Sequence, residues 1–222
     1  MGNSQFDNDL AEIDVRVTEL FGLVAAGVSA ATDAFLASDP KAARDVMDRD
    51  TLIDTVYAEI EELIQRCFTL QTPLGKEMRY LLSMLRIVPE LERSGDLVEH
   101  IAGRGARQLA SGLTPRIRGL VERMGLVAGD LWERARQIYI TRDVEQAHRL
   151  RILDDELDDL HAALLAEIVD AELSLPLAIE MALVARFYER LGDHAVNVSN
   201  RMRYAMMGAG VHDHECSQRD WH

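Results

Sequence analysis

Glu189-Arg190-Leu191-Gly192-Asp193 repeats, with one residue changed, a pattern met about a hundred residues earlier as Glu92-Arg93-Ser94-Gly95-Asp96. Both copies lie in helix-forming surroundings, so the Glu and Asp of each stack one turn apart on a single helical face. Like charges in that arrangement repel by roughly 0.2–0.5 kcal/mol when nothing lies between them. Two further pairs stand in matching segments, Asp50-Thr51-Leu52-Ile53-Asp54 and Asp154-Asp155-Glu156-Leu157-Asp158. If the helices carrying these pairs face each other, Asp50, Asp54, Glu92 and Asp96 converge, and so do Asp154, Asp158, Glu189 and Asp193. Asn197 continues the line from Asp193, His100 continues it from Asp96, and His161 shares a flank with Asp154 and Asp158. Oxygen-rich sets of this kind suit magnesium, manganese or calcium, and a nearby imidazole admits iron or zinc.

The same residues support plainer readings. An acidic pair at this spacing is an ordinary solvated helix face in a chain with 38 Asp and Glu. Arg93 and Arg190 stand beside the motif acids and would neutralise them as surface ion pairs worth about 0–1 kcal/mol each. His194 falls near the Phe187/Leu191 face and reads as a packed, hydrogen-bonded histidine rather than a ligand. Glu145-Gln146-Ala147-His148 is a single Glu-x-x-His, whereas a di-iron carboxylate bundle needs two such units facing inward. The segment from Gly208 to Cys216 carries His212, His214 and Cys216, reads as a flexible tail over 208–222, and is left out of the site.

The elements that must position these residues are helices. Leu10, Ile13, Val17, Leu20 and Val24 recur at helical spacing over about 7–37. Ser38-Asp39-Pro40 ends that helix and opens a second over about 40–71, with Ile53, Val56, Ile60, Leu63 and Cys67 on one stripe. A third is expected over about 74–110, bent at Pro89 just before its motif. Ser111-Gly112-Leu113-Thr114-Pro115 is the clearest break in the chain. A fourth helix over about 115–139 follows, then a fifth from 143 with Leu153, Leu157, Leu160, Leu164 and Ile168. A sixth runs to about 207 with Ile179, Leu183, Phe187, Leu191 and Val198 as its stripe. The order of long helix, acidic helix and motif helix therefore occurs twice. The expected fold is all-α, two tandem three-helix bundles related by an internal repeat, over 1–112 and 113–207.

Composition agrees with a helical body, since the chain is 48% hydrophobic but only 5% aromatic. Its formal net charge of -14 argues against nucleic acid or an anionic membrane as a partner, because both are bound through excess Lys and Arg. No leader and no apolar run of about 18 residues is apparent, so a cytoplasmic protein is expected. With two cysteines, no disulfide framework is implied. There is no Gly-rich phosphate loop, and the acidic faces would repel phosphate unless a metal intervened.

With these residues in view, the chain resembles the PhoU family of phosphate-signalling proteins, whose mark is two three-helix repeats each carrying a Glu-Arg-x-Gly-Asp type motif. The likeness spans roughly 7–207 and is close over Glu189 to Asn197. In the first repeat His100 stands where the family usually has Asn. Pro73-Leu74-Gly75-Lys76-Glu77-Met78-Arg79 is similar to a family segment that has Asp where this chain has Glu77, and the wording around Phe187 looks most like actinobacterial members. The resemblance implies metal binding by Asp50, Asp54, Glu92, Asp96, Asp154, Asp158, Glu189, Asp193 and Asn197, with iron, zinc, manganese or magnesium as the ion. It implies a cytoplasmic adaptor rather than an enzyme, a negative regulator that keeps the phosphate-starvation response off when phosphate is plentiful. The implied partners are the ATPase subunit of a phosphate ABC importer and a sensor histidine kinase. Membrane contact would come only through them, and a homodimer is expected. An accessory regulator of a low-affinity phosphate permease and a di-iron enzyme are the alternatives.

Overall fold

Asp39 and Pro40 turn the chain out of its first helix. The Asp39 carboxylate accepts hydrogen bonds from the backbone N–H groups of Lys41 and Ala42 at 2.9 and 3.1 Å, while Pro40 takes a position where no N–H is needed. The computed structural model describes residues 2–143 and 146–207, all helices and connecting turns. Seven α-helices are described: α1 (Gly2–Ala37), α2 (Pro40–Met47), α3 (Asp50–Leu70), α4 (Lys76–Ala106), α5 (Pro115–Thr141), α6 (Ala147–Asp170) and α7 (Leu175–Met207). A 3₁₀ turn over Leu109–Gly112 joins the halves after Gln108, which adopts a left-handed conformation.

Several elements differ from the periodicity reading. The second helix is two, α2 and α3, broken at Asp48 and Arg49. Arg49 donates its N–H to Val46 and accepts from Leu52, so the turn tightens to three-residue bonds and α3 starts afresh with Asp50 at its first position. Helix α4 is a single helix with Pro89 inside it, as the sequence expects. On α7 Leu191 and Val198 are buried as expected but Ile179 and Leu183 are exposed, and the buried stripe is Met181, Val184, Ala185, Tyr188, Leu191, Ala195, Val198 and Met202. Tyr188 turns inward because its hydroxyl has a partner there, donating to the Thr32 hydroxyl of α1 at 2.7 Å while Thr32 donates to the Val28 carbonyl.

Helix α1 is the axis of the molecule and packs against α3, α4 and α5. Ile13, Val17, Leu20, Phe21, Val24, Val28 and Phe35 are all fully buried along it, each worth about 1.5–3 kcal/mol on an area basis. Contrary to the sequence expectation, α1 contains a stretch long and apolar enough to cross a membrane. That apolar surface is used by neighbouring helices. The two repeats join through α1 against α5 and α4 against α7, so one continuous hydrophobic core runs through both. Cys67 is a buried member of that core, and Cys216 lies outside the described residues with the whole of 208–222.

A polar cluster ties three of these helices at one end. Asp14 accepts from the hydroxyls of Tyr80 at 2.7 Å and Tyr139 at 2.5 Å and from Arg142 Nη2 at 2.7 Å, and the guanidinium lies over the Tyr139 ring. Burial pushes the Asp14 carboxyl up, but the hydrogen bonds from Tyr139, Arg142 and Tyr80 outweigh it and leave it below its ordinary value. Its contribution is therefore present above the unfolded value and lost as pH falls through the folded one.

Close approach of α1 and α4 requires Gly105, where an added Cβ would sit 2.9 Å from Phe35 Cα. Gly105→Ala should destabilise by about 1–3 kcal/mol, whereas Gly119→Ala, in open space on α5, should stabilise by roughly 0.5–1 kcal/mol. Denaturant unfolding of both variants checks this, and a neutral Gly105→Ala would contradict the close packing.

Candidate functional site

Each motif glycine faces an aspartate. A Cβ added at Gly95 would lie 3.2 Å from Asp50 Oδ1 and 2.8 Å from Ile53 Cδ1. At Gly192 the same atom would lie 2.6 Å from Asp154 Oδ1 and 2.9 Å from Leu157 Cδ2. The two environments correspond residue for residue: an aspartate carboxylate and, three positions on, a branched aliphatic side chain. Bare backbone at Gly95 and Gly192 lets α3 sit against α4 and α6 against α7 with their acids on facing surfaces.

In the first repeat, burial pushes the Asp50 carboxyl up to about 6, reinforced by Asp54, Glu99, Asp96 and Glu92. Glu92 is also raised, by burial and then by Asp96 and Asp54. The four acids expected from the sequence are therefore brought together there. Glu99 is a fifth, missed although it lies three positions beyond Asp96 on the same face.

In the second repeat, Asp154 is buried, and burial pushes Glu189 up, followed by Asp193, with Asp158 adding to it. Glu189 Oε1 receives Arg186 Nη1, while its Oε2 is buried without a hydrogen-bond partner. His161 is lowered by burial and by Arg186 against the pull of Asp158, which puts it beside the same acids. Its counterpart Tyr57 senses Glu92 in the first repeat; the Tyr57 hydroxyl donates to Glu61, and that bond with burial pushes it up to about 12.

The arginines do not act as the surface-pair reading expects. Arg93 reaches Glu90 at 3.5 Å rather than Glu92, and Arg186 rather than Arg190 pairs with Glu189. Asn197 is exposed and lines a separate cleft between α4 and α7, apart from the four acids of its repeat. His100 is exposed and sits edge-on to Phe187, its Nδ1 against the Asp96 carbonyl. His194 is buried between the motif helices, 3.1 Å from Ser94 Oγ. Ser94 donates its own hydrogen to the Glu90 carbonyl, so its oxygen accepts from His194 Nδ1–H. Burial lowers the histidine despite Glu90 nearby, which keeps it a neutral interior group. Glu145 and the His148 side chain lie outside the described residues, as does the Met207 side chain. Among the described residues, no three His, Cys, Asp or Glu side chains already converge in a ligating arrangement.

This fold and site define a class: an all-α protein of two fused repeats, each holding opposed carboxylates across a motif glycine. The PhoU domain matches residues 17–104 and 121–202, and the chain belongs to the PhoU family. It is 32% identical over 207 residues to phosphate-specific transport system accessory protein PhoU homolog 2 of Mycobacterium tuberculosis, covering 92% of this chain and 97% of that one. PhoU homolog 1 of the same species is 34% identical over 202 residues, covering 90% and 91%. Among solved structures, PhoU from Pseudomonas aeruginosa superposes with a TM-score of 0.85 at 24% identity, covering 92% of this chain and 100% of that one. The PhoU from Streptococcus pneumoniae, a phosphate transport system regulatory protein, gives 0.81 at 23%, covering 93% and 99%. At those identities the two structures speak for the fold.

A raised Asp50 has a defined sign. Its favourable contribution is full below the unfolded carboxyl value and is lost as pH rises through about 6. In chelator, Asp50→Asn should raise the unfolding midpoint at pH 7 and flatten its dependence between about pH 4 and 6. A lower midpoint at pH 7 would contradict the crowding of acids at Gly95.

Proposed function

We propose that this protein is a cytoplasmic accessory regulator of phosphate uptake that restrains transport and starvation signalling when phosphate is plentiful. It acts by binding, not catalysis, and links the ATPase subunit of a phosphate importer to the cytoplasmic part of a sensor histidine kinase. The support is membership of the PhoU family together with relatives named as phosphate-transport accessory proteins across nearly their whole length. A surface of net charge -14 suits basic protein faces as partners.

The observation that carries the site is the twofold arrangement of acids against a motif glycine. Asp50, Asp54, Glu92 and Asp96 would hold one divalent or transition-metal ion, and Asp154, Asp158, Glu189 and Asp193 another. The donor set is carboxylate oxygen, which fits a hard dication. The buried, unpartnered Glu189 Oε2 is an acceptor in need of a positive partner. Such an ion would supply the positive charge that these crowded acids lack. Glu99 adds a donor in the first repeat and Arg186 competes for Glu189 in the second, so the two sites should differ in affinity.

Elemental analysis of the purified protein beside Glu92→Gln/Asp96→Asn/Glu189→Gln/Asp193→Asn should find metal in the parent and little in the folded variant. Metal retained in full by the variant would refute the site. In cells, deletion of the gene should leave a phosphate-starvation reporter on in phosphate-rich medium, with the parent gene restoring repression. A reporter that stays off in the deletion strain would refute the regulatory role.

A further inference from the structure

One cleft, of about 410 Å³, opens between α4 and α7 at the end where Pro89 meets the C-terminal part of α7. It is lined by four guanidinium groups, from Arg86, Arg93, Arg201 and Arg203, against the single carboxylate of Glu90. In a chain with 38 acidic and 24 basic residues, this is a local reversal of sign. Arg93 reaches Glu90 only at 3.5 Å, and Arg86 and Arg201, both exposed, have no ion-pair partner among the described residues.

The opposite end of the same helix pair shows why the cleft is open. Helices α4 and α7 run antiparallel, with Ser94 against His194 and His100 against Phe187. In the register that aligns Glu92 with Glu189, Glu90 corresponds to Phe187 and Arg201 to Arg104. Phe187 fills its end, packing on His100 and lying under the Arg104 guanidinium at 4.6 Å. There Glu180 neutralises Arg104 and Arg107 at 3.0 and 2.8 Å. Glu90 lacks the bulk of Phe187, and Ser83 stands at the position of Glu180, so one end of the pair is closed and paired while the other is open and positive.

We propose that this cleft binds a phosphorylated small molecule of about nucleotide size. Its phosphoryl oxygens meet the forks of Arg86, Arg93 and Arg201, and its uncharged part lies on Leu85, Pro89 and Tyr204. Planar guanidinium forks match phosphoryl oxygens bidentately, and several of them together suit an anion of more than one charge. The volume is that of a small-molecule site, larger than a lone phosphate needs and smaller than a docked protein segment requires. Exposed Tyr204 and Leu85 offer an apolar wall beside the charges. The cleft is separate from the carboxylate sites, which face α3 and α6.

Isothermal titration of the full chain in chelating buffer keeps the metal sites out of the measurement. The probes are ADP, pyrophosphate and inorganic phosphate, with citrate as a polycarboxylate control. Saturable 1:1 binding of ADP is expected, tighter than pyrophosphate and tighter still than phosphate. Arg86→Gln and Arg201→Gln, both at exposed positions and to be checked for folding by circular dichroism, should each weaken it about tenfold. No saturable binding of any phosphorylated probe at millimolar concentration would overturn the proposal, as would binding that neither substitution alters. Citrate binding as tightly as ADP would overturn the phosphoryl assignment, and pyrophosphate matching ADP would overturn the role given to Leu85, Pro89 and Tyr204.

Discussion

The absence of a side chain at Gly95 and Gly192 sets the distance on which the rest of the site depends. With an alanine at Gly192, the new Cβ would stand 2.6 Å from Asp154 Oδ1, a separation at which that carboxylate and the neighbouring Leu157 side chain must shift. Close approach puts acids of α3 beside those of α4, and acids of α6 beside those of α7. Crowding and burial together push Asp50, Glu92 and Glu189 up. The fold tolerates this because the opposing term is large: one core of aliphatic side chains runs the length of both repeats. A few like-charge contacts are small against that core, yet large enough to make the site respond to pH.

The repeat shares its long, acidic and motif helices, with the short α2 described only in the first copy, and it is unequal in chemistry. Ser94 and Leu97 of the first motif correspond to Leu191 and His194 of the second, and the polar pair Ser94–His194 meets across the interface between repeats. The Thr32–Tyr188 hydrogen bond and the Asp14 cluster add polar ties between α1 and the second repeat. Such ties fix the register of α1, α4, α5 and α7, since a slip by one turn would bury their donors unpaired. Around the acids, Pro89 of the first repeat corresponds to Arg186 of the second, and Tyr57 to His161. The first repeat is therefore the more negative of the two.

Much of this was legible in the sequence because it is local. The i, i+4 spacing of Glu92/Asp96 and Glu189/Asp193, the Asp39-Pro40 start and the Thr114-Pro115 start are all written within a few residues. The facing of α3 on α4 is only a condition at the level of sequence, and the contacts at Gly95 are what support it. What periodicity missed depends on partners far along the chain. On α7 the expected stripe holds at Leu191 and Val198 but fails at Ile179 and Leu183, on the side of Tyr188, which turns inward to Thr32 more than 150 residues away. The break at Asp48-Arg49 has no Gly or Pro to mark it. Arg86 and Arg201 come from separate repeats, so the basic cleft left no local pattern, and the acidic total concealed it.

Whether the opposed acids take up a cation is read out by thermal unfolding against free Mn²⁺ in chelator-treated buffer, at pH 7 and at pH 5. A cation bound only by the folded chain raises stability by about 2.7 kcal/mol at a hundred times its Kd, which is roughly 5–10 °C for a chain of this size. The expected result is a midpoint that climbs with the logarithm of Mn²⁺ at pH 7. It should climb less at pH 5, where Asp50 is largely protonated in the unliganded protein. A midpoint indifferent to the cation at both pH values would contradict that uptake and leave the facing carboxylates as charges tolerated by the core.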